Sequence, residues 1–155
     1  MVSFCYTYRM KIIFICHGNI CRSPVAEILF SDLVKEHHLE NEIEVSSRAT
    51  SLEEIGNDIY PPMKRVLHNH GYDDVHNFAT RITRQEFEDA TYIYYMDNNN
   101  LYYLERLFGP SSKFHLITEC LDNQDIEDPW YTDRFEFVYQ RIKKAVESLF
   151  KNIKK

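Results

Sequence analysis

Two cysteines and an arginine share one short break in the sequence, Cys16-His17-Gly18-Asn19-Ile20-Cys21-Arg22, between an apolar run and a helix-like stretch. Five residues separate Cys16 from Arg22. A loop of this kind can wrap its backbone N–H groups around a tetrahedral anion, and a helix starting just after it points its positive end at the same spot. Gly18 and Asn19 are residue types that tolerate the positive φ such a nest needs. Arg22 can bind two anion oxygens in a planar fork, which lysine cannot do. Helix dipole, N–H groups and guanidinium together favour a thiolate at Cys16. Thiolates attack phosphorus, and the same surroundings stabilise the charge on a transferring phosphoryl group. A cysteine and an arginine at this spacing also arise by chance, as a buried structural thiol and a helix-capping guanidinium. The strand–turn–helix setting, with Gly and Asn inside the turn, favours phosphoryl transfer through a phosphocysteine.

Expelling an alkoxide or phenolate from phosphorus needs a proton donor. Most acids of the stretch LDNQDIEDPWYTD read as a solvated loop. Asp128 differs, because Pro129 biases its backbone toward an extended form and Trp130 and Tyr131 follow. An acid on a stiff loop beside two aromatics can hang over a pocket.

The elements that must position these groups read as follows. Ile12 to Ile15 is a continuous apolar run, expected as a fully buried strand. Ser23-Pro24 starts a helix in which Val25, Ile28, Leu29 and Leu33 face inward and Glu27, Asp32 and Glu36 outward. A strand is expected over Glu42–Ser47 and a helix from Pro61 to Gly71. Thr83 and Glu86 make a capping-box pattern for a short helix to about Asp89, followed by a strand over Thr91–Met96. Leu101, Leu104, Leu107 and Phe108 mark a helix ending at Gly109, Lys113–Ile117 a strand, and Phe135 to Leu149 a long helix starting near Asp133. Alternating strands and helices predict an α/β fold with a parallel sheet and right-handed crossovers. Ligands of such sheets bind outside the carboxyl ends of the strands, where Cys16 falls.

With 155 residues, the chain suits one core, over residues 10–155. Residues 1–9 precede a second methionine, Met10, and read as an N-terminal extension or a mis-assigned start. The net charge of −6 argues against a nucleic-acid or anionic-membrane binder, so an anionic substrate must be attracted locally. No apolar run is long enough to span a bilayer. The four cysteines, Cys5, Cys16, Cys21 and Cys120, are expected as free thiols in a reducing cytoplasm, since a domain of this size needs no staples. The histidines His37, His38, His68 and His70 have no convincing metal spacing. No metal or cofactor is implied.

The stretch CHGNICRSP resembles the signature of the low molecular weight protein tyrosine phosphatases. SRATSLEEIGN, MDNNNL and EDPWYTDRFEFVY stand in that family's order and at roughly its spacing, so the resemblance spans nearly the whole chain from Met10. It implies a three-layer αβα sandwich on a flavodoxin-like, doubly wound parallel sheet of four strands in the order 2-1-3-4. It implies hydrolysis of phosphotyrosine proteins or aryl phosphates, with Cys16 as nucleophile, Arg22 as phosphate ligand and Asp128 as general acid and base. Phosphate- and vanadate-type anions are then inhibitors.

The resemblance also places supporting residues. The loop residues His17, Gly18, Asn19, Ile20 and Cys21 surround the phosphoryl group. Ser23, which could simply cap a helix, corresponds to a hydroxyl that bonds the nucleophilic sulfur. Asn19 corresponds to a loop-shaping residue tied to a serine matching Ser47, and the histidine of that network falls on Asn77 or, shifted by one, His76. Cys21 matches a thiol that traps the oxidised nucleophile as a reversible disulfide. Trp130 and Tyr131 are expected to line an aromatic slot. Two departures stand out: His17, where an apolar residue is frequent, and Glu53 beside Leu52 on the rim, where an aromatic is frequent. An acidic rim should disfavour acidic phosphopeptides. Asp97 is expected to cap or tether a loop.

Three rival readings share parts of the motif. Arsenate reductases with a similar loop relay a disulfide through further cysteines, and only Cys120 lies downstream here. A non-catalytic phosphate- or phosphopeptide-binding domain would need neither Cys16 nor Asp128. A phosphocysteine carrier of sugar transport would not need Arg22 together with an acid loop.

Overall fold

The computed structural model describes residues 9–153. The extension expected at residues 1–9 therefore lies, apart from Arg9, outside the described residues, as does Cys5. The central strand β1 (Met10–Cys16) pairs in parallel with β2 (Ile43–Ala49) on one side and β3 (Tyr92–Tyr95) on the other. Strand β4 (Phe114–Leu116) extends the sheet beyond β3, giving the order β2-β1-β3-β4, all parallel. The expected strand order is the observed one.

The apolar run of β1 is continuous because both its faces are covered. Ile12, Phe14 and Cys16 join a core with Val25, Leu29 and Phe30 of α1 (Arg22–Glu36) and Val138, Ile142 and Val146 of α6 (Phe135–Ile153). Met63 and Leu67 of α2 (Pro61–Asn69) belong to the same core. Ile13 and Ile15 face the other way, into a smaller core with Ile93 and Leu104. That side is covered by α3 (Arg84–Asp89) and α4 (Asn98–Phe108), through Phe87 and Leu104. The expected capping box of α3 is present, Thr83 Oγ1 accepting from Glu86 N–H and Glu86 from Thr83 N–H. Gly109 takes the positive φ of 82° that ends α4.

Two features differ from expectation. A short helix, α5 (Pro129–Thr132), stands where a loop was expected, with Asp128 as its N-cap. Glu27 does not face outward: Ser47 Oγ donates to its Oε1 at 2.6 Å, because α1 lies over β2 as well as β1 and turns that edge toward the sheet. The chain steps from β1 to β2 on one side and then to β3 on the other. This switch point opens a crevice at the carboxyl end of β1, where ligands bind in such sheets.

Candidate active site

Cys16 is the last residue of β1 and Arg22 the first of α1, so the strand and helix fix both ends of the loop between them. The loop's carbonyls are drawn outward by donors from elsewhere. Ser51 N–H and Oγ hold His17 O, Asn77 Nδ2 holds Asn19 O at 3.0 Å, and Tyr60 N–H holds Ile20 O at 2.9 Å. Two N–H groups point at the Cys16 sulfur, from Asn19 at 3.3 Å and Ser23 at 3.4 Å. Among the described residues the N–H groups of Gly18, Ile20 and Cys21 donate to nothing, and α1 has no side-chain cap. Free loop N–H groups beside a helix start are an arrangement that suits an anion.

The two loop residues chosen for backbone freedom serve different ends. Asn19 takes the left-handed conformation, φ 61°, and its side chain repays the strain by donating to Ser23 Oγ and Ser47 Oγ and accepting from Thr80 N–H. Gly18 is not left-handed. It allows a close approach: a Cβ there would stand 3.1 Å from Glu54 Cγ, and that side chain would have to give way by a few tenths of an ångström.

Arg22 is 2% exposed and committed on one side. Its Nη1 donates to Asp97 Oδ2 at 2.6 Å and to Ile126 O at 2.9 Å, while Nη2 lies 3.5 Å from Asp128 Oδ2. Burial opposes its charge, but the Cys16 sulfur, Asp97 and Asp128 outweigh that and hold the guanidinium protonated. Asp97 does two jobs: Oδ1 caps α4 through Asn100 N–H at 2.9 Å, and Oδ2 orients Arg22. The cap is legible in the sequence; the partnership with an arginine 75 residues away is not.

Asp128 Oδ1 accepts from Trp130 N–H at 3.0 Å, which leaves Oδ2 over the cavity. The cavity holds about 150 Å³ and brings together Cys16, His17, Gly18, Ile20, Cys21, Arg22, Glu53, Asp128, Trp130 and Tyr131, all expected there. Asn19 and Ser23, also expected to touch substrate, stand behind the sulfur instead, both at most 1% exposed. Ser23 does not cap α1; its Oγ lies 3.1 Å from Cys16 Sγ. Glu54 is an additional wall residue that the sequence did not single out. Glu53 meets His17, Oε2 to Nε2 at 3.1 Å, and the His17 ring lies 5.8 Å from that of Tyr103. Trp130 packs on Tyr60 at 4.9 Å, while Tyr131 is 84% exposed. Burial first, then Cys16 and Asp128, push the Cys21 thiol far above the ordinary thiol range, so it stays protonated beside Cys16.

Of the two candidates for the loop network, the structure brings in Asn77, through Asn19 O. His76 turns away to Asp58 and Asp74. Asp58 also holds Lys64 at 2.6 Å and accepts from Asn77 N–H at 2.9 Å. Despite desolvation, Lys64 and His76 hold the Asp58 carboxyl well below the usual carboxylate range. The hydrogen bonds to Asp58 and Asp74 raise His76. Asp58 thus contributes stability above its ordinary value of 3.8, lost as the pH falls through its lower folded value. His76 contributes below its ordinary 6.5, lost as the pH rises through its higher folded value. Thermal melting of His76→Gln should therefore converge on wild type at alkaline pH and fall below it between those two values. A constant difference at all pH values would contradict this.

The chain is similar to known proteins in both sequence and fold. Residues 11–155 match the model of the family described as low molecular weight phosphotyrosine protein phosphatase. The low molecular weight protein-tyrosine-phosphatase YfkJ of Bacillus subtilis is 34% identical over 151 residues, covering 94% of this chain and 97% of that protein. The human low molecular weight phosphotyrosine protein phosphatase is 38% identical over 142 residues, 84% of this chain and 87% of that one. The crystal structure of YfkJ superposes with a TM-score of 0.86 at 32% identity, over 94% of this chain and 95% of that one. An Entamoeba histolytica protein tyrosine phosphatase with Hepes in its active site gives 0.84 at 28% identity, over 94% and 97%. With sequence and fold in agreement, the chain belongs to the low molecular weight phosphotyrosine protein phosphatase family and is a hydrolase of that class.

Proposed function

We propose that the chain hydrolyses phosphotyrosine in proteins, and aryl phosphates generally, through a phosphocysteine at Cys16. The carrying observation is the convergence on the Cys16 sulfur, at the floor of the cavity, of two backbone N–H groups and the Ser23 hydroxyl. Arg22 and Asp128 stand on its walls.

The phosphoryl group enters with its oxygens among the loop N–H groups. Arg22 contributes Nε and Nη2, the latter facing Asp128 at 3.5 Å, because Nη1 is held by Asp97 and Ile126. Cys16 attacks phosphorus, Asp128 protonates the leaving phenolate, and the resulting carboxylate takes a proton from the water that hydrolyses the phosphocysteine. Trp130 and Tyr131 on one side and His17 on the other flank the substrate ring. Cys21, kept as a thiol, is placed to condense with an oxidised Cys16 and protect it. Residues 10–155 act as one catalytic domain, and its thiols suit a reducing cytoplasm.

The arsenate reductase reading is weaker, since Cys120 packs against the α1–α6 core and does not line the cavity. The test is turnover of p-nitrophenyl phosphate and a phosphotyrosine peptide, with and without vanadate. Both should be hydrolysed, with vanadate competing. No turnover by folded protein, or turnover indifferent to vanadate, would refute the reading.

A further inference from the structure

Glu27 has no part in the chemistry above, yet it ends a chain of hydrogen bonds that begins at the nucleophile. Ser23 Oγ lies 3.1 Å from Cys16 Sγ and accepts from Asn19 Nδ2 at 2.8 Å. The same amide nitrogen donates its second hydrogen to Ser47 Oγ at 3.0 Å. Asn19, Ser23 and Ser47 are all at most 1% exposed, so the network is shielded from bulk solvent.

Counting hydrogens fixes its direction. Both amide hydrogens of Asn19 are used, one on each serine. Each serine then has a single hydroxyl hydrogen left to place. That of Ser23 has the Cys16 sulfur as its acceptor within reach, at 3.1 Å. That of Ser47 has two acceptors within reach, Glu27 Oε1 at 2.6 Å and Asn77 Oδ1 at 3.5 Å, the limit of a hydrogen bond. Glu27 supplies the close one. Arg48, the nearby cation, is engaged with Glu86 and with Ser47 O, so it does not pull the Glu27 carboxyl away. Burial raises that carboxyl, against the Ser47 bond and Arg48, but an acceptor oxygen is present in either protonation state.

We propose that Glu27 is a positioning residue for the nucleophile: it fixes the Ser47 hydroxyl, which orients the Asn19 amide, so that Ser23 presents its O–H to the Cys16 sulfur. The inference rests on the phosphocysteine reading, and the step it serves is the second one. There water forms the new P–O bond, its proton goes to Asp128, and the S–P bond breaks with its electron pair returning to Cys16. The Ser23 O–H receives that developing thiolate.

The test is steady-state and rapid-mixing kinetics on p-nitrophenyl phosphate for Glu27→Leu, Glu27→Gln, Ser47→Ala and the Leu/Ala double variant. Glu27→Leu should lower kcat about ten-fold, the scale of one misdirected hydrogen bond at a developing charge, with less effect on kcat/KM and a larger burst of nitrophenol. Glu27→Gln keeps an acceptor oxygen and should stay within about two-fold of wild type. The double variant should be no worse than Ser47→Ala, because the two residues act through one bond. Should Glu27→Leu not fold, Glu27→Asp serves: it keeps the charge but falls one methylene short, and kcat should drop likewise. A kcat within about two-fold of wild type in the Leu or Asp variant, a Gln variant as damaged as Leu, or multiplying effects in the double variant would overturn the proposal. An inactive wild type would instead overturn the phosphatase reading, so the two failures are distinguishable.

Discussion

Cys16→Ser should abolish aryl phosphate hydrolysis, with kcat falling about 10⁴-fold or more, the scale seen when a covalent nucleophile is removed. The substitution changes one atom in a site where the sulfur already accepts from two N–H groups and faces Ser23 Oγ. An oxygen can take the same bonds, so the fold and the anion nest survive. What is lost is nucleophilicity and leaving ability: a neutral hydroxyl attacks phosphorus poorly, and a serine phosphate, once formed, resists hydrolysis. Phosphate and vanadate-type anions should still bind, because their ligands are the loop N–H groups and Arg22. Binding retained with turnover lost separates a missing nucleophile from a collapsed site. Calorimetric titration with phosphate, beside an activity assay, makes the comparison.

Asp128→Ala should lower turnover of a phosphotyrosine peptide about 10²–10⁴-fold, the range for removing a general acid. The loss should be smaller on p-nitrophenyl phosphate, whose leaving group is a far weaker base than the tyrosine phenolate and departs with less help. Asp128 is also the N-cap of α5, accepting from Trp130 N–H at 3.0 Å. Alanine therefore costs about 1 kcal/mol of local stability as well and loosens Trp130 and Tyr131. Asp128→Asn keeps a good cap but cannot deliver the proton. If Asn falls as far as Ala on the peptide, the acid is the cause. If Asn is active and Ala is not, the cap is, and the general-acid assignment fails. The measurement is kcat/KM for both variants on both substrates.

The reacting centre is largely legible in the sequence because one short segment carries it. A buried strand, a turn with Asn and Gly, and an arginine opening a helix leave little freedom for where Cys16 and Arg22 point. The strand order followed from the family resemblance, and both faces of β1 from its unbroken apolar run. What stayed hidden depends on contacts distant in sequence. Asp97 reads as a helix cap, and is one, but its second oxygen reaches Arg22 only because β1 and β3 are neighbours. Glu27 looks like an outward position on an amphipathic helix, yet it lies where α1 overhangs β2. The roles of Gly18 and Asn19 could not be separated from residue type alone, since only the fold shows Glu54 packed against one and φ 61° at the other. The α5 helix had a readable signal, an Asp cap followed by Pro at the first helical position. Its four residues are too few for a periodic pattern.

Rapid quenching of the wild-type protein during turnover of p-nitrophenyl phosphate, followed by mass spectrometry of the peptide carrying Cys16 and Cys21, tests the central claim most directly. The expected result is one phosphoryl group on Cys16, present early in turnover and absent from Cys16→Ser. A phosphoryl group on any other residue, or steady turnover with none on Cys16, would contradict it.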